Sequence, residues 1–110
     1  MPTLILEGTG GATKGLRFRL PEGEALVGRS RSCEASLYPV SASCRSVSKR
    51  HVVLRLDAAG RLAIEDLSQY GTFLDGDRIE TVILTDLAHR SHTLRLGRGA
   101  AFRLSLERGP

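Results

Sequence analysis

Alternation of apolar and polar residues with a period of two constrains this chain more than any other feature. Leu16-Arg17-Phe18-Arg19-Leu20, Leu54-Arg55-Leu56, Leu94-Arg95-Leu96 and Phe102-Arg103-Leu104-Ser105-Leu106 each put every second side chain on one face. Successive side chains of a strand point to opposite faces, so each segment has one face for a core and one for water. Such a pattern makes sheets, not helices. Further strands are predicted at Thr3 to Glu7, Ala25 to Gly28, Ala35 to Leu37, His51 to Val53 leading into Leu56, Leu62 to Glu65, Thr72 to Leu74 and Val82 to Leu84. Turn chemistry fills the intervals: Gly8 to Gly11, Pro21-Glu22-Gly23, Asp57 to Gly60, Asp75-Gly76 and Gly97 to Gly99. The segment that reads as a helical turn is Thr85 to His89. Many short strands at short spacing, with no amphipathic helix, predict an all-β antiparallel sandwich or barrel.

A chain of 110 residues is expected to form one domain over residues 1–110. At that length it buries roughly two-thirds of the surface its unfolded form exposes, enough to fold without disulfides or metals. The stretch Thr3 to Leu6 is too short for a signal-peptide core, and no apolar run approaches membrane-spanning length. The expected address is therefore cytoplasmic, with no membrane partner, whether the chain is a whole protein or a module of a longer one. Cys33 and Cys44 have no CxxC spacing and no histidine placed to complete a zinc site, so they read as free thiols. His89 and His92 read as surface or strand-end residues. No metal or cofactor is expected.

Charge is concentrated. The formal net charge is +4, and the segment from Gly28 to His51 carries five basic residues (Arg29, Arg31, Arg45, Lys49, Arg50) against one acid, Glu34. Bases and acids cancel in the rest of the chain, so the whole excess lies in one segment. A focused positive patch favours an anionic partner. Within it and just beyond lie three short motifs, each where one strand pattern stops and the next begins: Gly28-Arg29, then Ser48-Lys49-Arg50-His51, then Ser68-Gln69-Tyr70-Gly71-Thr72-Phe73 running into Asp75-Gly76-Asp77. Together they offer a guanidinium, an ammonium, a hydroxyl and a turn-forming glycine, the groups that hold a phosphate without transforming it. Arg29, directly after a strand-ending glycine, is the leading phosphate ligand; the competing role is a clamp on Glu34 or Asp66. The segment Ser41 to Ser48, with four serines, reads as one long polar loop.

In order and spacing these motifs resemble the forkhead-associated (FHA) domain, a phosphothreonine-binding module, over nearly the whole chain. In that family a Gly-Arg pair closes an early strand, Ser-x-x-His opens a middle strand, and Ser-x-Asn-Gly-Thr forms the last binding loop. Gly28 and Arg29 match the first, Ser48 and His51 the second, and Ser68, Gly71 and Thr72 the third. The resemblance implies a twisted sandwich of about eleven strands, with both termini at one end and the binding loops at the other. It implies that Ser48 and Lys49 contact the phosphate together with Arg29 and that Gln69 and Tyr70 face the ligand. Arg50, alternating to the solvent side, is expected to reach an acidic residue of the peptide. Gly28, His51, Gly71 and Thr72 would then support the loops. One position departs: the family's asparagine before the glycine is Tyr70 here, and a phenol cannot both donate and accept toward a peptide backbone as an amide does.

A serine three residues before a histidine also invites a catalytic dyad. The sequence has no nucleophile-elbow pattern and no third member, so an enzyme is not expected. The leading reading is a phosphothreonine-dependent module that recruits partners phosphorylated by a Ser/Thr kinase. Tyr70 keeps a second reading open, an interaction domain of the same fold that has lost phosphate dependence. A third, a nucleic-acid binder using the basic loop, is weakened by an aromatic content of 5% with no tryptophan, which leaves few stacking platforms.

Overall fold

The computed structural model describes residues 1–108. Eleven strands run in chain order among these residues: β1 (Pro2–Gly11), β2 (Arg17–Pro21), β3 (Gly23–Gly28), β4 (Ala35–Ser36), β5 (Val52–Leu56), β6 (Leu62–Asp66), β7 (Thr72–Leu74), β8 (Asp77–Ile79), β9 (Thr81–Leu84), β10 (His92–Leu96) and β11 (Ala100–Arg108). They form a six-stranded sheet in the order β2-β1-β11-β10-β7-β8 and a five-stranded sheet in the order β4-β3-β5-β6-β9. Every pairing is antiparallel except β3 with β4. The expected all-β sandwich of about eleven strands is the observed architecture.

The period-two pattern explains how the sheets meet. Leu4 and Leu6 of β1, Leu94 and Leu96 of β10, and Phe102 and Leu104 of β11 point inward from one sheet; Val27, Leu54, Leu62 and Ile64 point inward from the other, and all are almost fully buried. Phe18 meets Phe102 edge to face with ring centroids 6.1 Å apart, a geometry that places ring edge against π face. The intervening residues carry the outer faces. Arg55 lies between Glu24 and Glu65, Arg19 forks onto Glu107, and Arg103 reaches Glu7. These cross-strand pairs are exposed, and water and salt screen them, so each contributes little to stability. Apolar burial between the sheets therefore dominates stability.

Strand register gathers the loops at one end. Pro2 pairs with Arg108, whereas at the far end of the same ladder Gly11 pairs with Ala100. Leu96 pairs with both Ala100 and Thr72, and in the other sheet Val52 pairs with both Val27 and Asp66. The connections 29–51, 67–71 and 97–99 thus leave the sandwich together, opposite the paired ends of β1 and β11.

The turn expected around Thr85 to His89 is present, with the Asp86 carbonyl accepting from the amides of His89 and Arg90, and it does not propagate into a helix. Two local expectations are corrected. The one helix among the described residues is a 3-10 segment over Tyr38–Ser43, with Pro39 in its first turn, within what read as open loop. Cys44 and Val47 just after it are fully buried and anchor the segment to the core. Finally, His92 sits at a strand end but is buried, 7% exposed, with Nδ1 2.6 Å from Asp75 Oδ2 and Nε2 2.7 Å from Asp86 Oδ1. Both cysteines are free and buried, and burial raises both thiol pKa values. No helix among the described residues is long and apolar enough to cross a membrane.

Candidate functional site

The site is built by zipping the turn after β3 onto the segment before β5. Arg29 N–H donates to the Ser48 carbonyl at 3.2 Å and Ser30 N–H to the Lys49 carbonyl at 3.0 Å, while Leu37 N–H closes the other side onto the Gly28 carbonyl at 2.7 Å. Gly28 is required by this approach, because a Cβ there would stand 2.2 Å from the Lys49 carbonyl oxygen. The zip carries Arg29 and the Ser48-Lys49 pair to the same strand ends. Arg29 Nε donates to the Val47 carbonyl, which fixes the direction of the guanidinium. The competing role as a carboxylate clamp is not what the structure shows. Glu34 accepts from the Leu26 amide at 2.7 Å, Asp66 is occupied by Ser68 and Thr72, and Arg29 forms no ion pair among the described residues.

His51 joins this zip to the β6–β7 loop. Its fully buried ring accepts the Ser48 N–H at Nδ1, 3.0 Å away, and Nε2 lies 2.8 Å from the Gly71 carbonyl. With Nδ1 accepting, the proton resides on Nε2 and donates to Gly71, so the ring is a neutral brace. Burial lowers its pKa, against the pull of the Gly71 carbonyl and the Asp66 charge. The contact with Ser48 runs through the backbone amide. The Ser48 hydroxyl instead accepts from the Gln69 amide at 3.1 Å, so the imidazole is not positioned to draw a proton from it.

Asp66 organises the β6–β7 loop. Its Oδ1 accepts from the Ser68 amide at 3.1 Å, the Ser68 hydroxyl at 2.6 Å and the buried Thr72 hydroxyl at 2.7 Å, and Ser68 Oγ in turn accepts from the Gly71 amide at 2.8 Å. Burial pushes the Asp66 pKa up, but these hydrogen bonds outweigh it and hold it below the ordinary value. Gly71 has φ of +101°, which a side chain would strain. The loop's outer residues, Gln69 and Tyr70, are exposed, Tyr70 by 57%.

An open cleft of about 380 Å³ lies over the zip, lined by Arg29, Ser30, Arg31, Tyr38, Ser41 and Lys49. Three cations and three hydroxyls face it, and no carboxylate among the described residues does. Arg31 packs over the Tyr38 ring, 4.2 Å from its centroid, and donates to the Tyr38 hydroxyl at 2.6 Å, which stiffens one wall. Of the residues singled out in the sequence, Arg29 and Lys49 line this cleft and Ser48 adjoins it. Arg50 and Gln69 are exposed nearby in the chain without lining it, and Tyr70 borders a separate depression with Arg45, Ser46 and Arg98. Sequence reasoning missed Ser30, Tyr38 and Ser41 as lining groups and Asp66 as the organiser of the third motif. Arg31 was legible only as part of the charge excess. Among the described residues, no group of three or more His, Cys, Asp or Glu is placed to hold a metal ion.

The profile of the FHA domain matches residues 25–97, which spans all three motifs. No match is found among the curated proteins. The chain is similar in structure to the FHA domain of an Arabidopsis thaliana hypothetical protein, with a TM-score of 0.81, 24% identity, and 100% of this chain and 90% of that one covered. It is similar to the FhaA FHA domain in complex with the intracellular domain of Rv3910 (TM-score 0.67, 24% identity, 97% and 100% covered). It is also similar to Mycobacterium tuberculosis EmbR in complex with a low-affinity phosphopeptide (TM-score 0.74, 21% identity), where the match covers 98% of this chain and 25% of EmbR. Identities this low speak for the fold; the profile, covering well over half the chain in motif order, speaks for the family. The chain belongs to the FHA domain family.

Proposed function

We propose that this chain, acting as one domain over residues 1–110, is a non-enzymatic module that binds proteins phosphorylated on threonine by a Ser/Thr kinase. The observation that carries the reading is the cleft itself. Arg29 and Lys49 are brought there from segments twenty residues apart, Arg29 is aimed by the Val47 carbonyl, and no acid among the described residues pairs with either. A phosphate supplies the missing counter-charge, and hydrogen bonds to charged groups are worth about 1.5–3 kcal/mol each. Ser48, whose oxygen already accepts from Gln69, keeps its proton to donate to a phosphate oxygen. Arg50, Gln69 and Tyr70 then meet the peptide on either side, and His51, Gly28, Gly71 and Thr72 hold the loops. Phosphopeptide and intracellular-domain ligands of the similar EmbR and FhaA structures support a phosphoprotein partner in the cytoplasm. Tyr70 favours one alternative, a phosphate-independent interaction through the same loops. A phosphopeptide-library pull-down beside a phosphatase-treated copy of the library separates them: enrichment confined to the phosphorylated library supports the proposal, and equal enrichment from both supports the alternative.

A further inference from the structure

The two sheets end on four edge strands, and three of these are blunted against pairing with another chain. β2 carries Arg17 and Arg19 and ends in Pro21, β8 is Asp77-Arg78-Ile79, and β4 is the two residues Ala35–Ser36. Charge, proline and shortness are the devices that keep a sheet edge from recruiting a further strand. β9 has none of them. Its Thr81-Val82-Ile83-Leu84 closes the five-stranded sheet beside β6 with no charged residue and no proline.

Pairing with β6 decides which backbone groups of β9 face outward. The Asp66 amide donates to the Glu80 carbonyl at 2.8 Å, and in the same register Glu65 lies opposite Thr81, Ile64 opposite Val82 and Ala63 opposite Ile83. Hydrogen-bonded and open pairs alternate along an antiparallel ladder, so Val82 and Leu84 bond to β6. The N–H and C=O of Thr81 and Ile83 are left on the free edge. Ile83 is also 66% exposed, and it stands between two open hollows of about 460 and 320 Å³ that share Arg55 and Ala63 as walls. The charges around it are already matched: Arg55 pairs with Glu24 and Glu65, and Arg61 with Asp57. A face with an apolar centre and a self-neutralised rim selects for a surface like itself rather than for a charged partner.

We infer that β9 is a self-association edge, on which a second copy of this chain docks antiparallel through its own β9. A two-fold axis puts the same residues on both sides of the contact. The β9 edge meets that condition, because Thr81 of each copy can exchange both main-chain hydrogen bonds with Ile83 of the other, four bonds in all. This register centres the axis on Val82. A register centred on Ile83 would set Glu80 opposite Asp86, and like charges facing each other across strands are unfavourable. Both Ile83 side chains then lie on one outer face as diagonal neighbours within reach of each other. Since β9 and β4 are opposite edges of their sheet, the cleft over Arg29 and Lys49 stays open in each copy. The dimer is bivalent, and its small interface makes it concentration-dependent.

The test is sedimentation equilibrium of the whole chain, without any peptide, at protein concentrations from about 10 µM to about 1 mM. Average mass should rise from one chain toward two. Ile83→Lys sets like charges together on the outer face, and Thr81→Pro removes an outward N–H without touching the β6 ladder. Each should weaken association by about tenfold or more. Thr93→Lys, exposed on the outer face of the other sheet, should leave it unchanged, and thermal unfolding establishes that each variant is folded. A wild type that keeps the mass of one chain throughout overturns the inference. So does a dimer that survives in either β9 variant, or one that is lost equally in Thr93→Lys.

Discussion

Tyr70 is the residue on which ligand affinity turns. It stands 57% exposed beside the Arg98 depression, at the position where the FHA pattern places an asparagine. An amide there donates and accepts at once toward a peptide backbone; a phenol supplies one hydroxyl on a rigid ring. Tyr70→Asn is therefore expected to tighten phosphothreonine-peptide binding by about fivefold or more, the worth of two neutral hydrogen bonds at roughly 0.5–1.5 kcal/mol each. Titration of both proteins with one peptide reads this directly, and unchanged affinity would show that position 70 does not face the ligand. His51 makes the opposite kind of prediction. Its ring spans from the Ser48 amide to the Gly71 carbonyl with no exposure. His51→Ala is expected to cost about 3 kcal/mol of stability through a cavity and two orphaned backbone groups. Thermal or denaturant unfolding measures that loss. Assays of the wild type for esterase and phosphatase activity should find none, and activity that disappears in a still-stable His51 variant would make the chain an enzyme. Arg29, Ser48 and Lys49 were legible because charge and spacing mark them in one dimension. Tyr38 and Ser41 were not, since only the 3-10 turn swings them over the cleft. Asp66 was marked only as a competing partner for Arg29, because it lies just past the expected strand end at Glu65 and outside all three motifs.

At the scale of elements, the sequence was most readable where one strand face meets the core. Period-two alternation located β2, β5, β10 and β11 to within a residue or two, because a slip of one would turn the leucines to water and the arginines inward. It failed for β8, whose Asp77-Arg78-Ile79 is too short and charged to show a pattern. That strand exists because Asp75 at φ +50° and Gly76 at φ +91° make a two-residue hairpin turn, which folds it back onto β7. The same turn presents Asp75 to His92, a contact no local pattern announces. Burial alone would lower the His92 pKa, but the carboxylates of Asp75 and Asp86 outweigh it and raise it above the ordinary 6.5. Thr93 and His92 in turn lower Asp75 against the effect of its partial burial, and the His92 hydrogen bond is the largest influence lowering Asp86. A raised histidine pKa stabilises the fold fully below the unfolded value, and that contribution is lost as pH rises through the folded value. Lowered carboxylate values stabilise above about 3.8 and are lost on acidification. The clamp is thus strongest between roughly pH 4 and 6.5. Melting temperature followed across pH 4 to 9 should show a decline above pH 6.5 that is absent in His92→Gln, and identical profiles for the two proteins would remove the clamp from the account.

For the whole molecule, what matters is how charge is divided between sheets and loops. Arg17, Arg19, Arg55 and Arg103 on the sheet faces are paired with acids across the strands, whereas Arg29, Arg31, Arg45 and Arg98 at the loop end have no acid partner among the described residues. The sandwich core lies between the sheets and draws little from the loop cations, so the binding end can be altered without unfolding the domain. Removal of a single loop guanidinium is consequently a clean test of recognition. One measurement bears most directly on the central claim: calorimetric titration of wild type and Arg29→Ala with one phosphothreonine peptide and its unphosphorylated form. The account predicts binding of the phosphorylated peptide alone by the wild type. It predicts a loss of tenfold to hundredfold in Arg29→Ala, the equivalent of roughly 1.5–3 kcal/mol for a charge-assisted fork, in a protein that still unfolds cooperatively, with a melting temperature lowered only by the lost hydrogen bond to the Val47 carbonyl. Equal affinity for the two peptides, or an Arg29→Ala protein that binds as tightly as the wild type, would contradict it.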